Sequence, residues 1–224
     1  MIKNILNLGD AALYCDFGDE VNKEINSLVI KYFYNIKRLN INGVTNLTPS
    51  YNKLIISFDL NILNFLSLKK IIENAEINDV QISNRSQKEI PVCCDNEYAL
   101  DIKRLESRLN LKPEIIFENF FQNEYFCYMT GFVAGMPFLG DLSKDMRLKR
   151  LETPRVKVPK GSVGITEQFC NIYSFESPGG WNIIGNTPLD IFDISNKNTP
   201  NLISPGDSVK FKRITREQYD KLKK

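Results

Sequence analysis

The chain has 224 residues, of which 42% are apolar and 25% are charged, a balance typical of a globular protein with an ordinary core. Its 29 Lys and Arg residues barely exceed its 27 Asp and Glu residues, so no basic field favours nucleic acid as a partner. No apolar run approaches the roughly 20 residues that span a bilayer. Since no export signal is evident either, we expect a cytoplasmic protein without membrane contact.

The chain contains no histidine. This excludes a histidine general base, Ser-His and Cys-His nucleophile pairs, and the usual catalytic zinc sites. We expect no metal site. The five cysteines form no C-x-x-C pair and are typical of buried thiols in a reducing compartment.

The first third of the chain predicts a small α/β domain. Alternating apolar residues in 11–18 indicate a half-buried strand, and apolar side chains at helical spacing in 20–36 indicate a helix. Residues 43–59 predict two strands joined by a turn at 49–52. Residues 62–75 predict a second helix whose inward side chains are Phe65, Leu68, Ile71 and Ile72. This βαββα order favours a split βαβ unit and a ferredoxin-like topology.

A polar stretch predicts a boundary near residue 86, which gives domains 1–86 and 87–224. Two helices follow at 98–111 and 113–123, the second opening on Pro113. Beyond residue 124, short apolar segments separated by Gly and Pro predict a compact barrel. The predicted strands are 125–132, 163–165, 170–175, 181–185, 189–194 and 208–214.

Three clusters rich in Gly and Pro, at 131–142, 153–165 and 177–188, border these strands. If they converge at one end of the barrel, they form a cleft rich in backbone amides, suited to an anion or a planar amide. Otherwise they are only tight turns. The candidate ligand-binding residues are Gly131, Phe132, Gly135, Pro137, Gly140, Arg155, Gly161, Ser162, Val163, Gly164, Tyr173, Ser177, Gly179, Gly180 and Trp181.

Individual roles in this cleft can be stated as hypotheses. The backbone amides of 131–140 and 161–164 form the cradle, and Arg155 supplies a fixed positive charge; alternatively Arg155 makes a structural ion pair. Trp181, the single tryptophan, walls the cleft or plugs the barrel. Residues 159–164 do not form a phosphate-binding loop, because Lys160 precedes Gly161 rather than following a second glycine.

The clusters resemble a family that contains the B subunit of 5-oxoprolinase, the kinase inhibitor KipI and allophanate hydrolase subunit 1. Residues 131–140 are similar to the family run G-F-x-P-G-F-P-Y-L-G, and 153–165 to T-P-R-x-x-V-P-x-G-S-V-G-I. Residues 172–181 are similar to I-Y-x-x-x-S-P-G-G-W. Further matches at 9–19 and 205–211 extend the resemblance over the whole chain.

The resemblance implies an α+β protein with an N-terminal α/β domain and a C-terminal cyclophilin-like barrel of carboxyltransferase type. It implies a member of an ATP-dependent complex that hydrolyses the small molecule 5-oxoproline to glutamate. The homologous C subunit and the A subunit of that complex would be the partners. ATP would act through the assembled complex, and the chain would be inactive alone. The alternatives are a regulator resembling KipI, which inhibits a histidine kinase, and a component of an allophanate hydrolase or urea carboxylase pathway.

The chain departs from the family pattern at three places. Phe120 stands where the family usually has His, and Asn186 where it has Arg in G-R-T-P. Residues 168–171, Gln-Phe-Cys-Asn, replace the family segment G-Q-T-G. We therefore expect a changed substrate or a non-catalytic chain.

Overall fold

The computed structural model describes residues 1–79 and 87–223. The chain folds into two compact units, Met1–Asn84 and Arg85–Lys224, each with its own hydrophobic core. The boundary predicted at residue 86 lies outside the described residues. In the described ranges, no helix has both the length and the apolar character needed to cross a membrane.

The N-terminal unit is a four-stranded antiparallel sheet with two helices. Its strands are arranged in the order β1-β2-β4-β3. The predicted alternation in the second strand is confirmed, since Leu13, Cys15 and Phe17 are all buried. The elements are β1 (Asn4–Asn7), β2 (Ala12–Asp16), α1 (Lys23–Leu39), β3 (Val44–Pro49), β4 (Lys53–Phe58) and α2 (Phe65–Glu73).

The strand order of this unit corrects part of the prediction. Because β4 lies between β2 and β3 and is antiparallel to both, β2 and β3 run parallel, as in a split βαβ unit. The ferredoxin-like topology is not confirmed, because the edge beside β2 is filled by β1, which precedes it in the chain. Strand β1 was not predicted from the sequence; it has four residues, of which only Ile5 is buried.

Helix α2 shows how local sequence sets an element's start. Asn64 and Ser67 form a capping box, in which each side chain bonds the other's backbone N–H. Leu68 and Ile72 are buried, whereas Ile71 is partly exposed. The prediction that Ile71 points inward is wrong, because it lies at the margin of the apolar stripe.

The C-terminal unit is built around a closed barrel of seven strands, in the order β10-β7-β6-β13-β5-β12-β9. Strands β5 and β13 pair in parallel, and β8 and β11 form a separate antiparallel ribbon. The strands are β5 (Gln87–Cys93), β6 (Glu124–Thr130), β7 (Pro137–Gly140), β8 (Arg155–Val158), β9 (Ser162–Thr166), β10 (Phe169–Ile172), β11 (Ser177–Gly179), β12 (Asn182–Asn186) and β13 (Ser208–Ile214). The predicted α+β class with a C-terminal barrel is confirmed.

Three helices accompany the barrel: α3 (Ile102–Leu109), α4 (Pro113–Phe121) and α5 (Arg216–Leu222). As predicted, α4 begins at Pro113, where the missing N–H of proline costs no hydrogen bond. A short 3-10 turn also forms at Lys144–Met146.

Aromatic side chains contribute much of the barrel core. Phe120 of α4 is fully buried, stacks on Phe211 with ring centroids 4.9 Å apart, and lies 5.1 Å from Tyr125.

The prediction of a strand at 189–194 is wrong. In that segment Phe192 makes only an isolated β-bridge with Asn201.

Candidate functional site

The candidate site lies on the outer face of strands β9, β10 and β12. Along β9 and β10, the residues Val163, Ile165, Cys170 and Ile172 belong to the barrel core. Side chains alternate across a strand, so Gly164, Asn171 and Tyr173 face the other way, outside the barrel. Asn171 pairs with Gly164 across the two strands, and Gly164 pairs in turn with Ile183 of β12.

A small second core covers part of this outer face. It consists of Met136, Val158, Tyr173 and Ile183, with Val133 and Phe138 partly buried against it. Val158 belongs to β8 and pairs with Ser177 of β11. The ribbon of β8 and β11 and the loop before β7 therefore pack onto the outer face of the barrel.

Trp181 precedes β12 and is partly buried on this outer face. Its ring meets Phe138 edge-on, with centroids 5.6 Å apart, and its Cβ lies above Gly164. Because Trp181 is outside the barrel core, the barrel-plug interpretation is wrong. The ring instead borders the small second core.

Two glycines allow close packing on this outer face. A Cβ at Gly179 would overlap the hydroxyl of Tyr173, and a Cβ at Gly164 would come within 2.9 Å of the Trp181 Cβ. By contrast, a Cβ at Gly180 would meet its nearest neighbour, Pro154, at 3.5 Å, an ordinary contact. Gly179 is thus required by packing, and Gly180 is not.

Arg155 joins the ribbon to the barrel through an ion pair. Its Nη2 donates to Oδ1 of Asp101 at 2.6 Å, and Oδ2 of Asp101 accepts from the Ile183 N–H at 2.7 Å. The Asp101 side chain is only 6% exposed and that of Arg155 28% exposed. The structural ion pair considered for Arg155 is therefore present.

The hydroxyl of Tyr173 lies at the centre of the site. Burial raises its pKa, while hydrogen bonding with Asn171 and the Trp181 backbone N–H, together with the charge of Arg155, acts in the opposite direction. The net shift is upward, so this hydroxyl is protonated at neutral pH.

Polar atoms at this site are buried without hydrogen-bond partners among the described residues. They are Oδ1 of Asn171, Nη1 of Arg155 and Oγ of Ser177. The amide nitrogen of Asn171 does have a partner, the sulfur of Met136 at 3.6 Å. Buried polar atoms of this kind are normally hydrogen-bonded, either to the protein or to an ordered water.

The structure gathers some of the predicted residues and separates others. Arg155, Gly164, Tyr173, Ser177, Gly179, Gly180 and Trp181 lie at the ribbon and the outer face it covers. Val163 faces the barrel core, and Gly140 packs against Tyr128 and Phe169. Phe132 has a positive φ of 68° and is 71% exposed in the loop before β7, which also holds Gly131 and Gly135, and Pro137 is the first residue of β7.

Part of the predicted amide cradle is already hydrogen-bonded within the fold. The N–H groups of Gly131, Gly161 and Ser162 donate to the carbonyl oxygens of Met136, Tyr173 and Pro159. Gly164 lies within a strand paired on both sides. These four backbone groups are committed to the fold, and the role of the remaining amides of 131–140 as a ligand cradle stays a prediction.

Sequence reasoning did not find Asn171 and Asp101. A signal for Asn171 existed, since it alternates with Cys170 and Ile172 and so shares a face with Tyr173. Asp101 carried no signal, because its pairing with Arg155 spans 54 positions of the chain.

Two departures from the resembled family have structural roles here. Phe120, in place of His, is part of the barrel core. Asn186, in place of Arg, accepts from the Tyr219 hydroxyl of α5 at 2.8 Å and donates to the Lys160 carbonyl at 2.9 Å. Where the resembled family has ionisable side chains, Phe120 packs in the core and Asn186 holds helix α5 by a hydrogen bond.

Comparison with known proteins identifies the family. Residues 3–203 match the model described as carboxyltransferase domain, subdomain C and D. The chain is 35% identical over 227 aligned residues to the Bacillus subtilis (strain 168) protein named as the B subunit of 5-oxoprolinase, covering 96% of this chain and 94% of that protein.

Solved structures share the fold. The protein TTHA0988 superposes with a TM-score of 0.82 at 29% identity over 92% of this chain, which spans 40% of the TTHA0988 chain. The Kluyveromyces lactis urea carboxylase superposes with a TM-score of 0.77 over 96% of this chain and 22% of its own, but at 18% identity it shows the fold alone. The chain thus belongs to the carboxyltransferase-domain family, subdomains C and D, and is a homologue of the 5-oxoprolinase B subunit.

Proposed function

We propose that this chain is the B subunit of an ATP-dependent 5-oxoprolinase, which acts with the A and C subunits and is inactive alone. The observation that carries the proposal is the 35% identity to a protein of that name over 96% of this chain. In the reaction, water adds across the lactam C–N bond: the carbonyl carbon gains the hydroxyl, the nitrogen gains a proton, and glutamate forms. ATP hydrolysis supplies the driving force.

The residues of this chain favour a binding role over bond making. The chain has no histidine, and the Asp101 carboxylate is engaged by Arg155 and the Ile183 N–H. Tyr173 is held protonated by burial. The other proteins of the complex would therefore supply the groups that move protons, while this chain positions the substrate on its cyclophilin-like barrel.

ATP is assigned to the assembled complex rather than to this chain's turn at 159–164. Lys160 there binds Asp190 at 2.6 Å, and the Gly161 N–H donates to the Tyr173 carbonyl. Both groups have partners within the fold, which supports assigning ATP elsewhere in the complex.

Partner binding is proposed at the loop before β7. Phe132 exposes most of its ring from a left-handed backbone conformation that bulky residues rarely adopt. An exposed aromatic ring held in this way suits a protein contact with the C subunit. The buried free cysteines are consistent with assembly in the cytoplasm.

The test is reconstitution. The chain and the purified A and C subunits are combined with ATP and 5-oxoproline, and glutamate is measured. We expect ATP-dependent glutamate formation only when all three proteins are present. A full mixture that forms no glutamate would reject the proposal. An equally active mixture from which this chain is omitted would reject it too.

A regulatory role resembling KipI has one specific observation in its favour. The positions of the family's His and Arg hold Phe120 and Asn186, and both serve the fold. Binding of the chain to a histidine kinase, with loss of autophosphorylation, would support this role. The alternative hypothesis of an allophanate or urea substrate is tested by adding these compounds to the same reconstituted mixture in place of 5-oxoproline and measuring their hydrolysis.

A further inference from the structure

A cavity of about 810 Å³ lies between the two helices of the N-terminal unit, and all of its lining residues belong to that unit. Helix α1 lines one side with Asn35, Arg38 and Leu39, and helix α2 lines the other with residues that include Lys70 and Ile71. Residues three and four apart share one face of a helix, so each wall is continuous. A cavity of this volume is of the size that small molecules occupy in proteins.

The segment that follows α2 forms a third wall and is fastened to α1. The Asn35 side chain, 6% exposed, donates to the Asn78 carbonyl at 3.0 Å and accepts from the Asn78 N–H at 3.2 Å. At the next residue, Asp79 pairs with Lys31 of α1 at 2.6 Å. The lining residues in 74–78 are therefore held in place by bonds to a neighbouring helix.

The apolar side chains of the cavity are left partly uncovered. Leu39 is 48% exposed, and Ile71, whose helical spacing predicted an inward position, is 37% exposed. Ala75 adds a third apolar side chain to the lining. Contact with the apolar part of a ligand would remove this surface from water, which is favourable.

The charged side chains of the cavity favour an anion. Arg38 lies on one wall and Lys70 on the other, and neither has an ion-pair partner in the ranges that the structure describes. The neighbouring Lys69, by contrast, pairs with Glu73 at 3.8 Å. Glu76 is the one carboxylate among the lining residues described, so two positive charges face one negative charge and a monoanion balances them.

We propose that this cavity binds a small carboxylate with an apolar chain. Arg38 and Lys70 attract the carboxylate, since both line the cavity and their long stems let the charged ends approach a ligand inside it. The chain of the ligand packs on Leu39 and Ile71. Guanidinium and ammonium groups form their strongest hydrogen bonds with ionised acceptors such as carboxylates.

The test is an NMR titration of the full chain with isotope-labelled isoleucine δ1 methyl groups. The Ile71 signal, assigned by its loss in Ile71→Leu, reports on the cavity while octanoate is added. Ile72, 2% exposed in the core of the same unit, reports on whether α2 keeps its packing. Acetate supplies the charge without the chain, and octan-1-ol supplies the chain without the charge.

We expect octanoate to shift the Ile71 signal in a saturable way while the Ile72 signal stays in place. Octanoate should bind at least about tenfold more tightly than acetate or octan-1-ol, because only octanoate uses both parts of the site. Arg38→Gln and Lys70→Gln should each weaken octanoate binding about threefold, as for exposed ion pairs, and the double variant about tenfold. Neither variant should change the binding of octan-1-ol.

The matched controls are Lys37→Gln and Lys69→Gln. Each removes one positive charge at the position next to a tested residue, but neither lysine lines the cavity. Lys37 shares the last turn of α1 with Arg38, so its loss also removes a favourable interaction with the helix dipole. Octanoate affinity should stay close to the wild-type value in both controls.

Three results overturn the proposal. The first is an Ile71 signal that octanoate leaves unmoved or shifts without saturation. The second is octan-1-ol binding as tightly as octanoate, which would mean that the cavity does not select a carboxylate. The third is an equal loss of affinity in the tested and control variants, which would mean that only overall charge matters. The titration needs neither the A and C subunits nor 5-oxoproline, so its outcome is independent of the proposed function.

Discussion

The inner and outer faces of the same barrel strands differ in how completely their groups are paired. The inner face holds only apolar side chains on β9 and β10, packed with the aromatic cluster of Phe120, Tyr125 and Phe211. The one polar tip in that cluster, the Tyr125 hydroxyl, donates to the Phe120 carbonyl at 2.9 Å. The outer face holds Asn171 and Arg155 with unpaired atoms. The inner face thus pairs its polar tip within the protein, whereas side chains of the outer face have atoms with no protein partner among the described residues.

The largest expected effect is on the inner face. Phe120→Ala removes a fully buried ring from the aromatic cluster and should lower the free energy of unfolding by about 3–5 kcal/mol. Urea denaturation measures the free energy of unfolding. Phe120→Leu is the control: it keeps most of the side-chain volume, so its loss of stability should be smaller. A loss below about 1 kcal/mol would show that the inner face is not the stabilising one.

A smaller effect is expected where the ribbon meets the outer face. In Gly179→Ala the added methyl overlaps the Tyr173 hydroxyl, so the ribbon must shift and unfolding should become easier by about 1–3 kcal/mol. Gly180→Ala is the matched control, because its methyl makes only an ordinary contact.

Adding Tyr173→Phe to Gly179→Ala removes the overlapping oxygen and should recover part of the loss. If the double variant is as unstable as the two single losses added together, the contact between Gly179 and Tyr173 does not carry the effect.

The smallest expected effect is a difference in pKa between a tyrosine of the inner face, Tyr125, and one of the outer face, Tyr173. Burial raises the pKa of Tyr125 inside and of Tyr173 outside, but only for Tyr173 do an adjacent positive charge and a backbone N–H act against burial. A tyrosine whose pKa is higher in the folded state stabilises the fold fully below about pH 10, its ordinary value, and this contribution falls as pH rises further.

Ultraviolet absorbance during alkaline titration checks this difference. We expect Tyr173 to ionise at lower pH than Tyr125, so Tyr173→Phe should remove an earlier phenolate signal than Tyr125→Phe does. The reverse order would mean that the outer site is as apolar as the core.

Much of the fold follows from local pattern. The alternation of Leu13, Cys15 and Phe17, the helix start at Pro113 and the polar turn at 49–52 are short-range signals, and each predicts its element. Strand β1 and the false strand at 189–194 show the limit: a short segment becomes a strand only if a neighbour has a free edge, which local sequence does not reveal.

The site was less predictable than the fold. Glycines such as Gly179 stand out in the sequence, but the reason for this one is a hydroxyl that approaches from another strand. The pairing of Arg155 with Asp101 joins residues 54 positions apart, so it arises only in the folded unit. The pairing of Asn171 with Gly164 is local, but it depends on the register of the β9–β10 hairpin.

The parallel pairing of β5 with β13 has a consequence for how the protein is made. These strands close the barrel, and Lys212 and Glu89, which bond across them, stand 123 positions apart in the chain. A ribosome delivers β5 well before β13, so the emerging barrel has two open strand edges until β13 has left the exit tunnel. During that interval the exposed edges can pair with other nascent chains, which makes the time before β13 emerges the period of greatest risk for aggregation.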